Sequence, residues 1–243
     1  AISDKVAKAK WEGNNQLGGY IWHTTGSGKT MTSFKSAQLI ASSKDADKVI
    51  FLMDRIELGT QSLKEYRGFA DENESVQATE NTNVLITKLK SSNPADTLIV
   101  TSIQKMSNIK DEAGGLNARD IELISEKRIV FIVDEAHRST FGDMLLTIKN
   151  TFPKAMFFGF TGTPIQDENQ KKKNTTSTVF GNELHRYSIA DGIRDKNVLG
   201  FDPYKVLTFK DKDVRKVVAL EKAKAQTEEE AISDPVSYTH LTL

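Results

Sequence analysis

The chain has 243 residues, of which 38% are hydrophobic and 27% are charged, and its formal net charge is zero. A chain of this length and balanced composition can bury a sizeable core, which argues against disordered and fibrous classes. The zero net charge excludes binding to nucleic acid through a general basic excess, and the lack of cysteine excludes disulfides and thiolate metal sites.

Short apolar segments alternate with helix-period segments along most of the chain, a rhythm that is typical of a parallel sheet with crossover helices. Several segments are predicted as strands because they are too short for a free-standing helix and are rich in β-branched or aromatic residues. In chain order, these predicted strands are Gly19–Trp22, Val49–Met53, Thr97–Thr101, Arg128–Val133 and Ala155–Phe160.

The segment Lys29–Ser43, between the first two strands, is predicted as a helix. Its residues Met31, Phe34, Ala37 and Ile40 are spaced three apart and form one apolar stripe. Other segments with helical spacing are Ile56–Tyr66, Val84–Lys90, Asn117–Ser125 and the charged tail Lys210–Ala231, whereas Gln166–Ser177 reads as an exposed loop and Val179–Phe201 as ordered chain.

No apolar segment approaches the roughly 18 residues that a membrane-spanning helix needs, and no signal-like segment opens the chain. Together with the absence of cysteine, this predicts a cytoplasmic protein that does not insert into a membrane. The chain begins at Ala1, and its final residues, Ser237–Leu243, change character abruptly after a charged stretch. We therefore expect an excerpt of a longer protein, and the alternative that these final residues are foreign sequence stays open.

The sharpest motif is His23-Thr-Thr-Gly-Ser-Gly-Lys-Thr30, between a predicted strand and a predicted helix. Its glycines allow a turn whose backbone N–H groups face an anion at the positive end of the helix. Lys29 would reach the β- and γ-phosphates of ATP, and the Thr30 hydroxyl would bind Mg²⁺. The predicted cofactor-binding residues are Thr25, Gly26, Ser27, Gly28, Lys29 and Thr30.

Two observations bear on the specificity of this motif. The general P-loop pattern begins with glycine, whereas this chain has His23 at that position. The alternative interpretation, a glycine-rich turn with an incidental lysine, fits poorly because a strand and a helix flank the motif in the right order. The motif therefore predicts a phosphate-binding loop of the looser kind that nucleic-acid motors use.

The second motif is Asp134-Glu-Ala-His137, directly after the strand that ends at Val133. Open α/β sheets place ligand chemistry at the carboxyl ends of their strands. Asp134 would hold the metal, together with Thr30, and Glu135 would polarise the attacking water. Alone, such an acidic pair is more often a surface loop, but the phosphate loop upstream favours the catalytic interpretation, with Lys29, Asp134 and Glu135 as catalytic residues.

With these motifs, the chain resembles superfamily 2 helicases and translocases, in which a DEAH or DEAD tetrad follows the P-loop strand. Phe160-Thr-Gly-Thr-Pro164 is similar to the third motif of that superfamily. The resemblance implies that Thr161, Thr163 and His137 couple nucleotide state to the nucleic-acid groove. It also implies that the nucleic-acid backbone is contacted by Arg55, Thr101, Ser102 and Gln104.

A narrower resemblance is to the motor subunit of type I restriction enzymes. It is carried by Gly18–Thr30, Asp134–Ser139, Gly159–Ile165, Phe180–Tyr187 and Ile189–Ile193. The resemblance implies an ATP-hydrolysing DNA translocase from a bacterium or archaeon, within an endonuclease subunit. It also implies that this translocase acts on duplex DNA together with methylation and specificity subunits.

The fold expected from this resemblance is a RecA-like α/β domain, a P-loop NTPase domain with a mostly parallel sheet and helices on both faces. We place this first ATP-binding lobe at residues 1–185. Residues 186–243 are expected to form a connecting segment toward an absent second lobe. Because that lobe would supply an arginine to the γ-phosphate, we expect the isolated chain to bind ATP with Mg²⁺ weakly and to hydrolyse it slowly or not at all.

Other classes remain as alternatives. A type III restriction subunit, an RNA helicase or another DEAD/DEAH-type helicase would share the fold but differ in substrate. A nucleotide-gated scaffold without catalysis belongs to another class, and the presence of Lys29, Thr30, Asp134 and Glu135 together weighs against it.

Overall fold

In a computed structural model of the chain, the described residues are 1–13, 16–53, 77–78, 82–110, 116–134, 141–164 and 175–200. Residues Ala1–Leu199 form one compact unit. The predicted helix Ile56–Tyr66 and the tail Lys210–Ala231 lie outside the described residues.

The helices are α1 (Ile2–Ala7), α2 (Lys29–Ser43), α3 (Thr82–Lys90), α4 (Ile103–Ser107), α5 (Ala118–Ser125), α6 (Phe141–Thr151), α7 (Thr176–Phe180) and α8 (Ile189–Arg194). The strands are β1 (Leu17–His23), β2 (Lys48–Met53), β3 (Gln77–Ala78), β4 (Leu98–Ser102), β5 (Ile129–Val133), β6 (Met156–Thr161) and β7 (Glu183–Tyr187). In the described part of the chain, no helix has both the length and the apolar character required to cross a membrane.

The strands form one seven-stranded sheet in the order β3-β4-β2-β5-β6-β1-β7. Each described pairing is parallel, which confirms the predicted parallel sheet. All of the predicted strands are present, as β1, β2, β4, β5 and β6. In this order β6 lies between β1 and β5, so the carboxyl ends of these three strands meet at one edge. The two motifs and the third block of the sequence follow those ends.

Helices cover both faces of the sheet, as predicted. On one face, α1 and α2 pack against alternate strand residues such as Val130, Ile132 and Phe158. On the other face, α3 to α7 pack against the intervening residues, among them Phe131 and Phe157, whose rings stack 4.6 Å apart. Because the central strands are buried on both sides, they appear in the sequence as continuous apolar segments.

The apolar stripe of α2 differs from its prediction in one residue. Phe34, Ala37 and Ile40 are buried against the sheet, and the Phe34 ring meets Phe51 edge-on at 5.7 Å. Met31 is 50% exposed. The stripe that holds this helix on the sheet therefore begins at Phe34, three residues later than expected.

Strand β7 forms one edge of the sheet and pairs only with β1 among the described strands. Its residues are half-buried or exposed, which suits an edge position. The domain boundary predicted at residue 185 falls inside this strand, and the compact unit continues to Leu199.

Candidate nucleotide-binding site

The loop between β1 and α2 has the backbone conformation that a phosphate cradle needs. Gly26 and Gly28 have φ angles of 80° and 81°, a region that residues with a side chain rarely adopt. The space beside both glycines is open. A Cβ on Gly26 would meet no heavy atom within 4 Å, and one on Gly28 would meet only the Met31 Cε, at 3.9 Å.

The amino end of α2 suits an anion. The helix starts at Lys29, is 15 residues long, and has no acidic residue in its first turn. Its N-cap is Gly28, which has no side chain to accept a hydrogen bond from the first N–H groups. The partial positive charge of the helix end is therefore left for a bound anion such as a phosphate.

The phosphate loop and the acidic motif meet, although β1 and β5 are not neighbours in the sheet. The Lys29 ammonium lies 3.5 Å from the Asp134 carboxylate, and the side chains of both residues are nearly buried. The Thr30 hydroxyl donates to the other oxygen of the same carboxylate at 3.4 Å. A backbone hydrogen bond from Asp134 to the Leu52 carbonyl anchors the acidic residue beside β2.

These groups fit the chemistry of ATP with Mg²⁺. A hydroxyl and a carboxylate are oxygen ligands of the kind that Mg²⁺ prefers, and an ammonium pairs with phosphate oxygens. Among the described residues, no group of three or more histidine, aspartate or glutamate side chains could hold a metal alone. A site with few protein ligands suits a metal whose remaining ligands are water and phosphate.

The histidine that departs from the general P-loop pattern supports the loop from the side. The His23 ring stacks on Tyr187 of β7 at 5.1 Å, and its Nδ1 lies 2.6 Å from the Ser27 hydroxyl. Burial lowers the pKa of His23 below its ordinary value, and the charges of His185 and Lys29 act in the same direction. A neutral imidazole therefore holds Ser27 near pH 7. In the sequence, the only sign of this role is that His23 replaces the first glycine of the general P-loop pattern.

The predicted coupling loop packs against the phosphate loop. Thr161 ends β6, is fully buried, and its hydroxyl accepts a hydrogen bond from the Thr163 N–H at 3.2 Å. A Cβ on Gly162 would lie 3.1 Å from the Thr25 hydroxyl, so the two loops pack closely at this point. Thr163 is exposed, and His137 lies outside the described residues.

The predicted nucleic-acid contacts differ in exposure. Thr101 and Ser102 are each only 3% exposed, and the Ser102 hydroxyl caps α4 by accepting from the Lys105 N–H at 3.3 Å. Gln104, in the first turn of α4, is exposed. Arg55 lies outside the described residues, as does the predicted water-polarising residue, Glu135. Of the predicted contacts that are described, Gln104 alone presents its side chain to solvent.

A cavity of about 800 Å³ opens at the opposite edge of the sheet, where β2, β4 and β5 begin. Its lining includes Lys48, whose ammonium donates to the Asp96 carbonyl at 2.7 Å, and Lys127. Burial and the neighbouring Lys127 lower the pKa of Lys48 to about 8. This cavity is remote from the phosphate loop and shares no residue with it, so it is not the nucleotide site.

Comparison with known proteins shows the family of the chain. The sequence model of the SWI2/SNF2 ATPase family matches residues 1–234. A type I restriction enzyme endonuclease subunit of Staphylococcus aureus (strain MSSA476) is 44% identical over 216 residues, which are 88% of this chain and 22% of that protein. A Mycoplasma pneumoniae protein, named as the C-terminal part of such a subunit, is 42% identical over 151 residues, 62% of this chain and 71% of that protein.

The fold is also similar to that of a solved helicase. The crystal structure of the Hef helicase domain of Pyrococcus furiosus matches with a TM-score of 0.52 and 21% identity, over 99% of this chain and 52% of that chain. This likeness confirms the predicted RecA-like fold. The chain spans 22% of the length of the S. aureus relative. The family match and the relatives together show that the chain belongs to the SWI2/SNF2 ATPase family and groups with the endonuclease subunits of type I restriction enzymes.

Proposed function

We propose that this chain binds ATP with Mg²⁺ and contributes to the ATP hydrolysis that drives DNA translocation by a type I restriction endonuclease subunit. The observation that carries the proposal is the convergence of Lys29 and Thr30 on Asp134, at 3.5 and 3.4 Å, beside an open loop with two left-handed glycines. A scaffold without catalysis would have no need of Glu135 in addition to Lys29, Thr30 and Asp134.

In this proposal each residue has a separate task. The loop N–H groups and the amino end of α2 bind the phosphates, and Lys29 pairs with the β- and γ-phosphate oxygens. Thr30 and Asp134 would hold the metal, which when bound supplies positive charge that offsets the charge on the phosphates. Glu135 would orient the attacking water and accept its proton.

The substrate and partners follow from the relatives. Their name, type I restriction enzyme endonuclease subunit, supports duplex DNA as the polymer on which the intact protein acts. Gln104 of this chain, which is exposed, would contact the DNA backbone together with Arg55. The methylation and specificity subunits of a restriction-modification complex are the proposed protein partners.

The experiment compares Glu135→Gln with unmodified protein, in the intact subunit from which the chain comes. ATP binding is measured with a fluorescent ATP analogue and turnover by phosphate release, with duplex DNA and with RNA. Glu135→Gln should lower turnover by at least about 100-fold and leave binding intact, because it removes only the proton acceptor.

A matched control is Asp143→Asn, which changes an exposed acidic residue of α6 and should leave turnover unchanged. Normal turnover by Glu135→Gln would remove Glu135 from the assigned role. Turnover that responds to RNA but not to duplex DNA would replace the translocase assignment by an RNA helicase.

A further inference from the structure

Trp22 links the coupling loop, Thr161-Gly162-Thr163, to β1, the strand that precedes the phosphate loop. It is the residue before His23 in β1, and in the parallel ladder its register partner on β6 is Thr161. Its indole Nε1–H donates to the Gly162 carbonyl at 3.1 Å. Gly162 is the middle residue of Thr161-Gly162-Thr163, so the indole holds the backbone of the coupling loop directly.

That hydrogen bond acts where the two loops are in close contact. A Cβ on Gly162 would lie 3.1 Å from the Thr25 hydroxyl and 3.5 Å from the His23 carbonyl. A shift of the Gly162 carbonyl therefore changes the distance between the coupling loop and the first residues of the phosphate loop. Because Trp22 and His23 are consecutive in one strand, their side chains point to opposite faces. His23 supports the phosphate loop from one face, and Trp22 holds the coupling loop from the other.

The indole is itself held from the edge strand. The Arg186 guanidinium lies 4.4 Å from the centre of the Trp22 ring, and β7 places Arg186 directly beside Trp22. Arg186 also forms two hydrogen bonds with Glu183, at 2.9 and 3.1 Å, and Glu183 accepts from the Tyr20 hydroxyl at 3.2 Å.

A register shift in the pairing of β1 with β7 makes this arrangement available. The shift falls between Tyr20 and Ile21. In a regular strand, residues three apart such as Glu183 and Arg186 would lie on opposite faces. An extra residue in the edge strand brings both to the face that carries Tyr20 and Trp22. The strand is thus shaped to place a cation over the indole.

We propose that Trp22 is a positioning residue that keeps the coupling loop in register with the phosphate loop, and that Arg186 fixes the indole for this task. The inference rests on the proposed ATPase function. The hydrogen bond of the Trp22 indole is to Gly162, so Trp22 acts through the backbone of that residue. Its loss should impair the response of turnover to DNA more than the binding of ATP.

The kinetic test replaces Trp22 by Phe in the intact subunit, which keeps a ring over Arg186 and removes the N–H donor. The expected result is a fall of about tenfold in kcat for DNA-stimulated ATP hydrolysis, with KM for ATP changed by less than about twofold, because a misplaced loop impairs alignment rather than binding. Trp11→Phe is the matched control and should change neither constant. Arg186→Met should lower kcat in the same direction.

A second measurement needs no variant at position 22. The chain has two tryptophans, so Trp11→Phe leaves Trp22 as the only one. In this 243-residue chain, saturation with ATPγS and Mg²⁺ should shift the Trp22 emission, because the loop that accepts its hydrogen bond adjoins the phosphate loop. Nucleotide binding without this shift, or a Trp22→Phe subunit with unchanged kcat, overturns the positioning role alone. No nucleotide binding at all refutes the proposed function and the inference with it.

Discussion

Replacement of Lys29 by Met tests whether the phosphate loop and the acidic motif are joined by an ion pair. The two charges lie 3.5 Å apart and would attract by about 5 kcal/mol at an effective dielectric constant of about 20. Dehydration of both nearly buried groups offsets much of this attraction. The Thr30 hydroxyl continues to donate to Asp134 in the variant. We therefore expect a net loss of about 3 kcal/mol in the free energy of unfolding, at the lower end of the cost of breaking a buried pair.

The assay is urea unfolding of the chain, monitored by circular dichroism, in a double-mutant cycle with Asp134→Asn. The stability losses of the two single variants should add up to more than the loss of the double variant. The difference, which is the coupling energy, should be about 2 kcal/mol. Lys35→Met, at an exposed position of the same helix, is the control and should change stability by no more than about 0.5 kcal/mol. A coupling energy below about 0.5 kcal/mol would show that the pair does not form in solution.

Two further changes test the fold and its pH dependence. A Cβ on Gly18 would lie 2.1 Å from the Phe157 carbonyl oxygen, so Gly18→Ala should lower the unfolding free energy by about 3 kcal/mol. Gly13→Ala is the control and should be neutral, because the space around Gly13 is open. Equal stability of the two variants would contradict the packing of β1 on β6. The pKa of Lys48 is about 8 in the folded chain against 10.5 for an ordinary lysine, so the unfolded chain binds more protons between these values and stability should rise with pH across that range. Thermal melts of Lys48→Met should show a weaker rise, and a curve parallel to that of the unmodified chain would assign the effect to other groups.

The sequence alone was sufficient to predict most of the sheet. Its central strands are buried on both faces, so their apolar residues run without interruption and bear no resemblance to an amphipathic helix. Helix α2 was predicted with its observed bounds, because the phosphate motif marks its start and an apolar stripe marks its face.

The edge of the sheet was harder to predict for the opposite reason. Strand β7 has the sequence Glu-Leu-His-Arg-Tyr, which is polar because one side of an edge strand faces solvent. Only its pairing with β1 makes it a strand. The two-residue strand β3 likewise has no pattern of its own and is defined by its neighbour, β4.

In the candidate site, too, some features were predictable from the sequence and others depend on the tertiary structure. Local motifs were enough to name Lys29, Thr30 and Asp134, because phosphate and metal chemistry restricts the residue types at those positions. The order of β5, β6 and β1 decided that these motifs face one another across an intervening strand. The long-range pairs of His23 with Tyr187 and of Trp22 with Gly162 depend on that order too. Residues so distant in the chain leave no periodic signal, since their contact is set by strand pairing and packing rather than by local spacing.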